Sequence, residues 1–261
     1  MILSPIEQQI KSKIEKIGIP LKDWDVQINY GIKTGYNDAF IISGSKKDEI
    51  LANCKTEEER KKTAEIIRPI LRGRDIKRYG YDFADLWLIN THNGIKEKGI
   101  KPINIDDYPA IKKHLDQYWS RLEKRADQGV TPYNLRNCAY MEDFYKQKIM
   151  YSEIVREPQF YLDETGKFYP EATTFIMTGS NIEYLYHLLN SNVVTYFFKE
   201  FYAGGGLGNE GYRYKKVFLE KLPIPKNTLN IEVSEINIDN YLYNLYGFTD
   251  EEIKFLNEQF K

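Results

Sequence analysis

Ile6, Ile10, Ile14 and Ile17 recur every three to four residues, a spacing that places all four on one helical face. Ser4-Pro5-Ile6-Glu7 supplies a capping Ser, a Pro in the first turn and a Glu three residues past the cap, and Gly18 with Pro20 stops the helix. Thr56 with Glu59, Ser180 with Glu183 and Thr249 with Glu252 repeat the capping signature and predict three more helix starts. Between Asp107 and Arg125, Ile111, Leu115, Tyr118, Trp119 and Leu122 form an apolar stripe. After Ser180, Leu185, Leu188, Leu189, Val193, Tyr196 and Phe197 form a broader one. Both predict helices facing a core.

Shorter apolar runs predict strands over Asp25–Tyr30, Ala39–Ser43, Asp85–His92, Lys148–Ile154, Phe160–Asp163, Lys167–Tyr169 and Thr173–Thr178. The run "FYLDETGKFY", with Gly166 at its centre, predicts a hairpin. Strands and helices do not alternate regularly, which argues against a doubly wound parallel sheet and for an α+β fold with a mixed, mostly antiparallel twisted sheet and packed helices. Residues 1–22 read as a linker helix, 23–226 as the main domain and 227–261 as a C-terminal helical hairpin. The lone first helix suggests a chain taken from something longer.

Composition narrows the class. With 42% apolar and 29% charged residues the chain is that of a globular protein. No apolar run approaches the roughly 18 residues that span a bilayer, and the start lacks a signal-peptide pattern, so no membrane partner and a cytoplasmic location are expected. Cys54 and Cys138 are isolated and read as reduced thiols. Thirty-seven Lys and Arg against 38 Asp and Glu leave a net charge of −1, so any nucleic-acid binding must arise from local charge. Most of the 21 tyrosines are expected to pack the core.

Among the motifs, Gly206-x-Gly208-x-x-Gly211 matches a dinucleotide fingerprint in letters but follows a helical segment instead of a strand, and reads as a surface loop. Gly31-x-Lys33-Thr34-Gly35 is too short for a Walker loop. Glu65, Asp75 and Lys77 imitate the acids and lysine of a metal-dependent nuclease, but Glu65 falls in a predicted helix. His92, His114 and His187 lack partners at zinc-ligand spacing. The basic stretch "IRPILRGRDIKRYGY" gathers Arg68, Arg72, Arg74, Lys77 and Arg78 around Asp75 and ends on Tyr79 and Tyr81. "YRYKK", Tyr212 to Lys216, repeats the mixture. With Lys33-Thr34-Gly35 these make three polar loops suited to a phosphate backbone, against the plainer reading of solvated charge.

In order along the chain, "LKDWDVQINYGIKTGYNDAFII", "IRPILRGRDIKRYGY", "LWLINTHNG", "KIMYSEI", "LLNSNVVTYFF", "LPIP" and "LYGFTDEEI" resemble the TaqI-like C-terminal specificity domain of adenine-specific DNA methyltransferases and fused restriction–modification enzymes. The resemblance implies a target-recognition domain that faces the methyltransferase domain of the same protein across double-stranded DNA. It sets the chain among type II restriction enzymes and phage defence. The implied DNA contacts are Lys33, Thr34 and Asn37, then Arg72, Arg74, Lys77, Arg78 and Tyr79, then Asn209, Arg213, Tyr214 and Lys215. Charge reversal at Arg72, Arg74 and Arg78 together is expected to weaken binding without unfolding, and the Gly204–Gly211 loop to be ordered by DNA. The family's catalytic signature, an Asn, Asp or Ser before Pro-Pro and an aromatic, is missing, since none of the ten prolines follows another. S-adenosylmethionine, and Mg where the parent also cuts DNA, are therefore expected in the parent enzyme and not in this chain. The alternatives left open are a metal-dependent nuclease and an interaction module that has lost DNA binding.

Overall fold

Lys148–Ser152 and Thr174–Gly179 are apolar at successive positions instead of alternate ones, the pattern of strands covered on both faces. They are the two inner strands of a four-stranded antiparallel sheet in the computed structural model, which describes residues 3–204, 211–226 and 237–261. With strands named in chain order, β1 is Val26–Tyr30, β2 Ile41–Ser43, β3 Ile67–Leu71, β4 Leu86–Ile89, β5 Lys148–Ser152, β6 Phe160–Asp163, β7 Tyr169–Pro170 and β8 Thr174–Gly179. The central sheet runs β6-β5-β8-β1. A second sheet runs β7-β3-β4-β2, antiparallel except for the β7–β3 pair. The fold is α+β and mostly antiparallel.

Two cores lie on opposite faces of the central sheet, and the strand period decides which residue joins which. Ile149, Tyr151, Phe175 and Met177 join the first core. Met150 and Ile176, one step along, join the second with β3 and β4. The main helices are α1 Pro5–Ile17, α2 Gly44–Ala52, α3 Glu57–Ile66, α4 Pro109–Asp116, α5 Ile182–Leu189, α6 Asn192–Phe201, α7 Ile238–Tyr246 and α8 Asp250–Glu258. Helices α2 and α4 contribute to the second core, and α1, α5, α6, α7 and α8 to the first.

The predicted linker helix and tail are thus packed onto the sheet. Ile10 and Ile14 of α1 share a core with Leu242 and Leu256, and Lys13 Nζ lies 2.6 Å from the buried Glu252 carboxylate. The capping boxes at Ser4 and Thr249 form in full. Thr56 caps α3, but Glu59 turns its carboxylate to the amides of Lys55 and Ala110. The box at Ser180 does not form, because Ser180 donates to Asp25 instead and Asn181 occupies the cap.

The structure corrects three further expectations. The predicted hairpin does not close: β6 pairs with β5, whereas β7 joins β3 in the other sheet. The Asp163 carboxylate accepts the amides of Lys167 and Phe168 and so redirects the chain between sheets. Asn37–Phe40 is a helical turn, which confines β2 to Ile41–Ser43. The stripe from Asp107 to Arg125 breaks after Asp116, and a short helical turn resumes at Trp119–Leu122.

Candidate nucleic-acid interface

Phe160, Tyr151, Phe175 and Tyr30 pair in one row across all four strands of the central sheet, near one of its ends. Just past that row the polar loops converge on the segments 152–154 and 170–174. Gly31 N donates to Thr174 O at 2.8 Å and Ile32 N to Pro170 O at 2.8 Å. From the second sheet, Leu71 O accepts Glu171 N at 2.9 Å and Thr174 Oγ1 at 2.9 Å. Gly73 N donates to Thr173 Oγ1 at 2.9 Å. Neither glycine leaves room for a side chain: a Cβ at Gly31 would sit 1.9 Å from Glu171 O, and one at Gly73 2.6 Å from Thr173 O. On the remaining side Tyr214 N donates to Glu153 O at 2.8 Å, and Arg213 faces the Glu153 carboxylate at 3.7 Å. Three stretches distant in sequence thus meet at one end of one sheet.

Within the basic stretch the side chains divide between framework and surface. Arg72 grips Asp75 through Nε at 2.9 Å and Nη2 at 2.7 Å, while Arg72 N donates to the same carboxylate at 2.9 Å. Burial pushes the Asp75 carboxyl up, but these bonds outweigh it and hold the group below the ordinary aspartate range. The same hydrogen bonds raise the Arg72 guanidinium. Arg78 Nη2 donates to Asn190 O at 2.5 Å and Asn192 Oδ1 at 3.0 Å, which ties it to the start of α6. Lys77 donates to Arg74 O at 3.0 Å and lies 3.5 Å from Asp82. Arg74 is exposed, with no carboxylate within 4.0 Å among the described residues. Tyr79 is 45% exposed, holds a positive φ of 62° and sets its ring edge against Tyr186.

This corrects the expectation for the triple charge reversal. Arg72 and Arg78 carry framework bonds, so replacing them by Glu disturbs the loop itself as well as its charge.

In the first loop Lys33 is exposed, but Thr34 is not. Thr34 is buried, donates to Asn37 Oδ1 at 2.6 Å and accepts Tyr36 N at 3.2 Å. Its hydroxyl shapes the turn and is not presented to a phosphate. Asn37 is exposed, although its Oδ1 serves that turn. In the third segment Tyr214 is a core residue, with its ring 4.6 Å from Phe198 and 4.7 Å from Phe160 and its hydroxyl 3.3 Å from that of Tyr212. Base stacking by Tyr214 is excluded by that burial. Lys215 sits over the Phe218 ring at 5.8 Å. Asn209, the fingerprint glycines Gly206 and Gly208, and most of the Gly204–Gly211 loop lie outside the described residues.

Two residues outside the three predicted loops border this end of the sheet. Tyr30, 50% exposed, closes the aromatic row with its ring 4.9 Å from Phe175. Ile154 is exposed beside Arg213, its strand partner. From the basic stretch Tyr212–Lys216, Lys216 Nζ caps the free edge of β1 by donating to Ile28 O at 2.9 Å. Nothing in the spacing of Tyr30 and Ile154 marks them, because only the pairing of β1 with β8 and of Ile154 with Arg213 brings them here. The imagined nuclease centre is not assembled. Glu65 precedes β3 and Asp75 follows it, so the strand separates them. Among the described residues no three His, Cys, Asp or Glu side chains are grouped to hold a metal.

The TaqI-like C-terminal specificity domain family matches residues 68–224 of the chain. The type IIG restriction endonuclease BpuSI superposes with a TM-score of 0.52 at 16% identity, covering 93% of this chain and 27% of that one. The type IIL restriction-modification enzyme MmeI, in complex with DNA, gives a TM-score of 0.54 at 12% identity over 77% of this chain and 25% of that one. The chain therefore spans about a quarter of the length of either enzyme, and at these identities the likeness is one of fold. No curated protein matches.

Proposed function

Because the chain belongs to the family of TaqI-like C-terminal specificity domains, we propose that it is the sequence-reading module of an adenine-specific DNA methyltransferase or of a bifunctional restriction–modification enzyme. The observation that carries this reading is the convergence of the loops Gly31–Asn37 and Arg72–Tyr79 and the Arg213 segment on one end of the central sheet. There Lys33 and Arg74 supply exposed cations for phosphates, and Arg72, fixed by Asp75, holds the backbone that carries Arg74 in register. Phosphate contacts set the position on the duplex, and the neighbouring side chains read base edges.

Methyl transfer belongs to another domain of the parent protein. S-adenosylmethionine supplies the methyl group there, while this chain has no Pro-Pro-aromatic signature with which to present an adenine. The work of this module is to bind, orient and discriminate.

Replacing Lys33 and Arg74 together by Glu tests the reading, because both are exposed and neither serves the framework. Two lost phosphate contacts lower the slope of log K against log salt by about 1.8, at about 0.9 per contact. A folded variant with the wild-type slope on a random-sequence duplex would place this end of the sheet off the DNA.

A further inference from the structure

Gly35, Tyr36, Ser120, Arg121, Lys124 and Arg125 line a surface groove of about 550 Å³ beside the first loop. Its floor is Arg125, which is only 7% exposed. The guanidinium donates to four carbonyls: Thr34 O at 2.6 Å, Pro132 O at 3.0 Å, and those of Asp127 and Asn134. The Phe40 ring lies beneath it at 4.7 Å. Nε, also buried, has no hydrogen-bond partner among the described residues. Among the described residues no carboxylate lies within 4.0 Å of this cation; Asp127 acts on it from farther away, with its carboxylate paired to Arg136 at 3.1 Å. Burial pulls the guanidinium down to about 10, which still leaves it charged at neutral pH. Arg121 and Lys124 are exposed at the rim, where Glu123 approaches Lys124 at a loose 4.0 Å. The groove is therefore a concave site lined by three cations and no carboxylate, the deepest of them held at contact distance only by carbonyl oxygens, an arrangement that favours an anion.

We propose that this groove binds a backbone phosphate of the DNA duplex, one or more nucleotides away from the phosphates met by Lys33 and Arg74. The inference rests on the DNA reading above and extends it to a second contact. The occupant follows from continuity. The Gly31–Asn37 loop is tied to the sheet end at Ile32 and forms the groove wall at Gly35 and Tyr36, so an anion there lies along the same strand of the partner. A duplex supplies regularly spaced phosphates to both ends of such a loop. Arg121 and Lys124 contact the phosphate oxygens from the rim. Arg125 is a positioning residue, because it holds the loop carbonyl at Thr34 in place.

The test uses the whole chain, with the Nε–H resonance of Arg125 and the amide of Gly35 followed by NMR. Inorganic phosphate, then a random-sequence duplex, is titrated into wild type and into the Arg121→Gln, Lys124→Gln variant, whose changes sit at the exposed rim and spare the fold. Both probes are expected to shift the wild-type signals and neither those of the variant, and the variant's duplex affinity loses about 1.8 of salt slope, at about 0.9 per contact. A folded variant that keeps the full slope, while wild type binds duplex, overturns the groove contact and leaves the DNA reading standing. Shifts with phosphate but none with a bound duplex identify a free-anion site and also overturn the proposal. A wild-type chain that binds no duplex at all removes the DNA reading and this contact with it.

Discussion

Lys148 and Asp163 close the central sheet at the end opposite the polar loops, paired at 2.6 Å with both side chains almost wholly buried. Asp163 also takes two backbone amides and Lys148 donates to Phe144 O, so the polar atoms are satisfied and the charges serve geometry. The histidines are governed by burial as well. His92, His114 and His187 are each lowered from their ordinary 6.5, first by desolvation. His114 is the most enclosed of them, bonded to Ala39 O at 2.9 Å with Lys46 and Glu49 acting on it from α2. The unfolded chain takes up protons through pH 6.5 while the folded chain resists, so the stability linked to these groups is complete above 6.5 and is lost as pH falls below it. The lowered carboxylates, Glu7, Glu49, Asp75 and Glu252, act only at more acid pH. The urea midpoint is expected to fall between about pH 7 and pH 5.5, and His114→Gln to flatten that fall. A midpoint independent of pH over this window would contradict the assignment.

Elements show why some features were legible and others were not. Local signals sufficed for the capped starts of α1, α3 and α8 and for the doubly covered strands β5 and β8, because capping and apolar runs act within a few residues. The run from Phe160 to Tyr169 looked like a hairpin because its residues suit strands, yet partner choice is a long-range matter, decided by Lys148, Asp163 and β3. The site was legible in part for the same reason. Glycine and arginine marked its loops, whereas the inward turn of Thr34 and Tyr214 and the arrival of Tyr30 depend on packing. The terminal helices look like appendages in sequence because their apolar faces have no neighbour there. In the fold they complete the first core, so Leu242→Ala in α7, a fully buried position, is expected to cost about 2–5 kcal/mol. The loss should appear in a single denaturant transition reported by Trp24, which packs in the same core. A separate early transition that leaves the Trp24 signal unchanged would make the tail an independent unit.

Over the whole molecule a net charge of −1 leaves little general attraction to nucleic acid. DNA binding as proposed therefore depends on placement: Lys33 and Arg74 near the sheet end, Arg121 and Lys124 at the groove, both joined by the loop from Gly31 to Asn37. Among the described residues no helix is long and apolar enough to cross a membrane. The proposed DNA surface is one end of the central sheet with the loop leading from it. Amide hydrogen exchange of the chain, free and bound to a random-sequence duplex at low salt, distinguishes this surface from the rest of the molecule. Slowed exchange is expected at residues 31–36, 72–76, 152–154 and 171–174, with α1, α7 and α8 unchanged. Slowed exchange on those three helices, with the four loop segments unaffected by bound duplex, would contradict it.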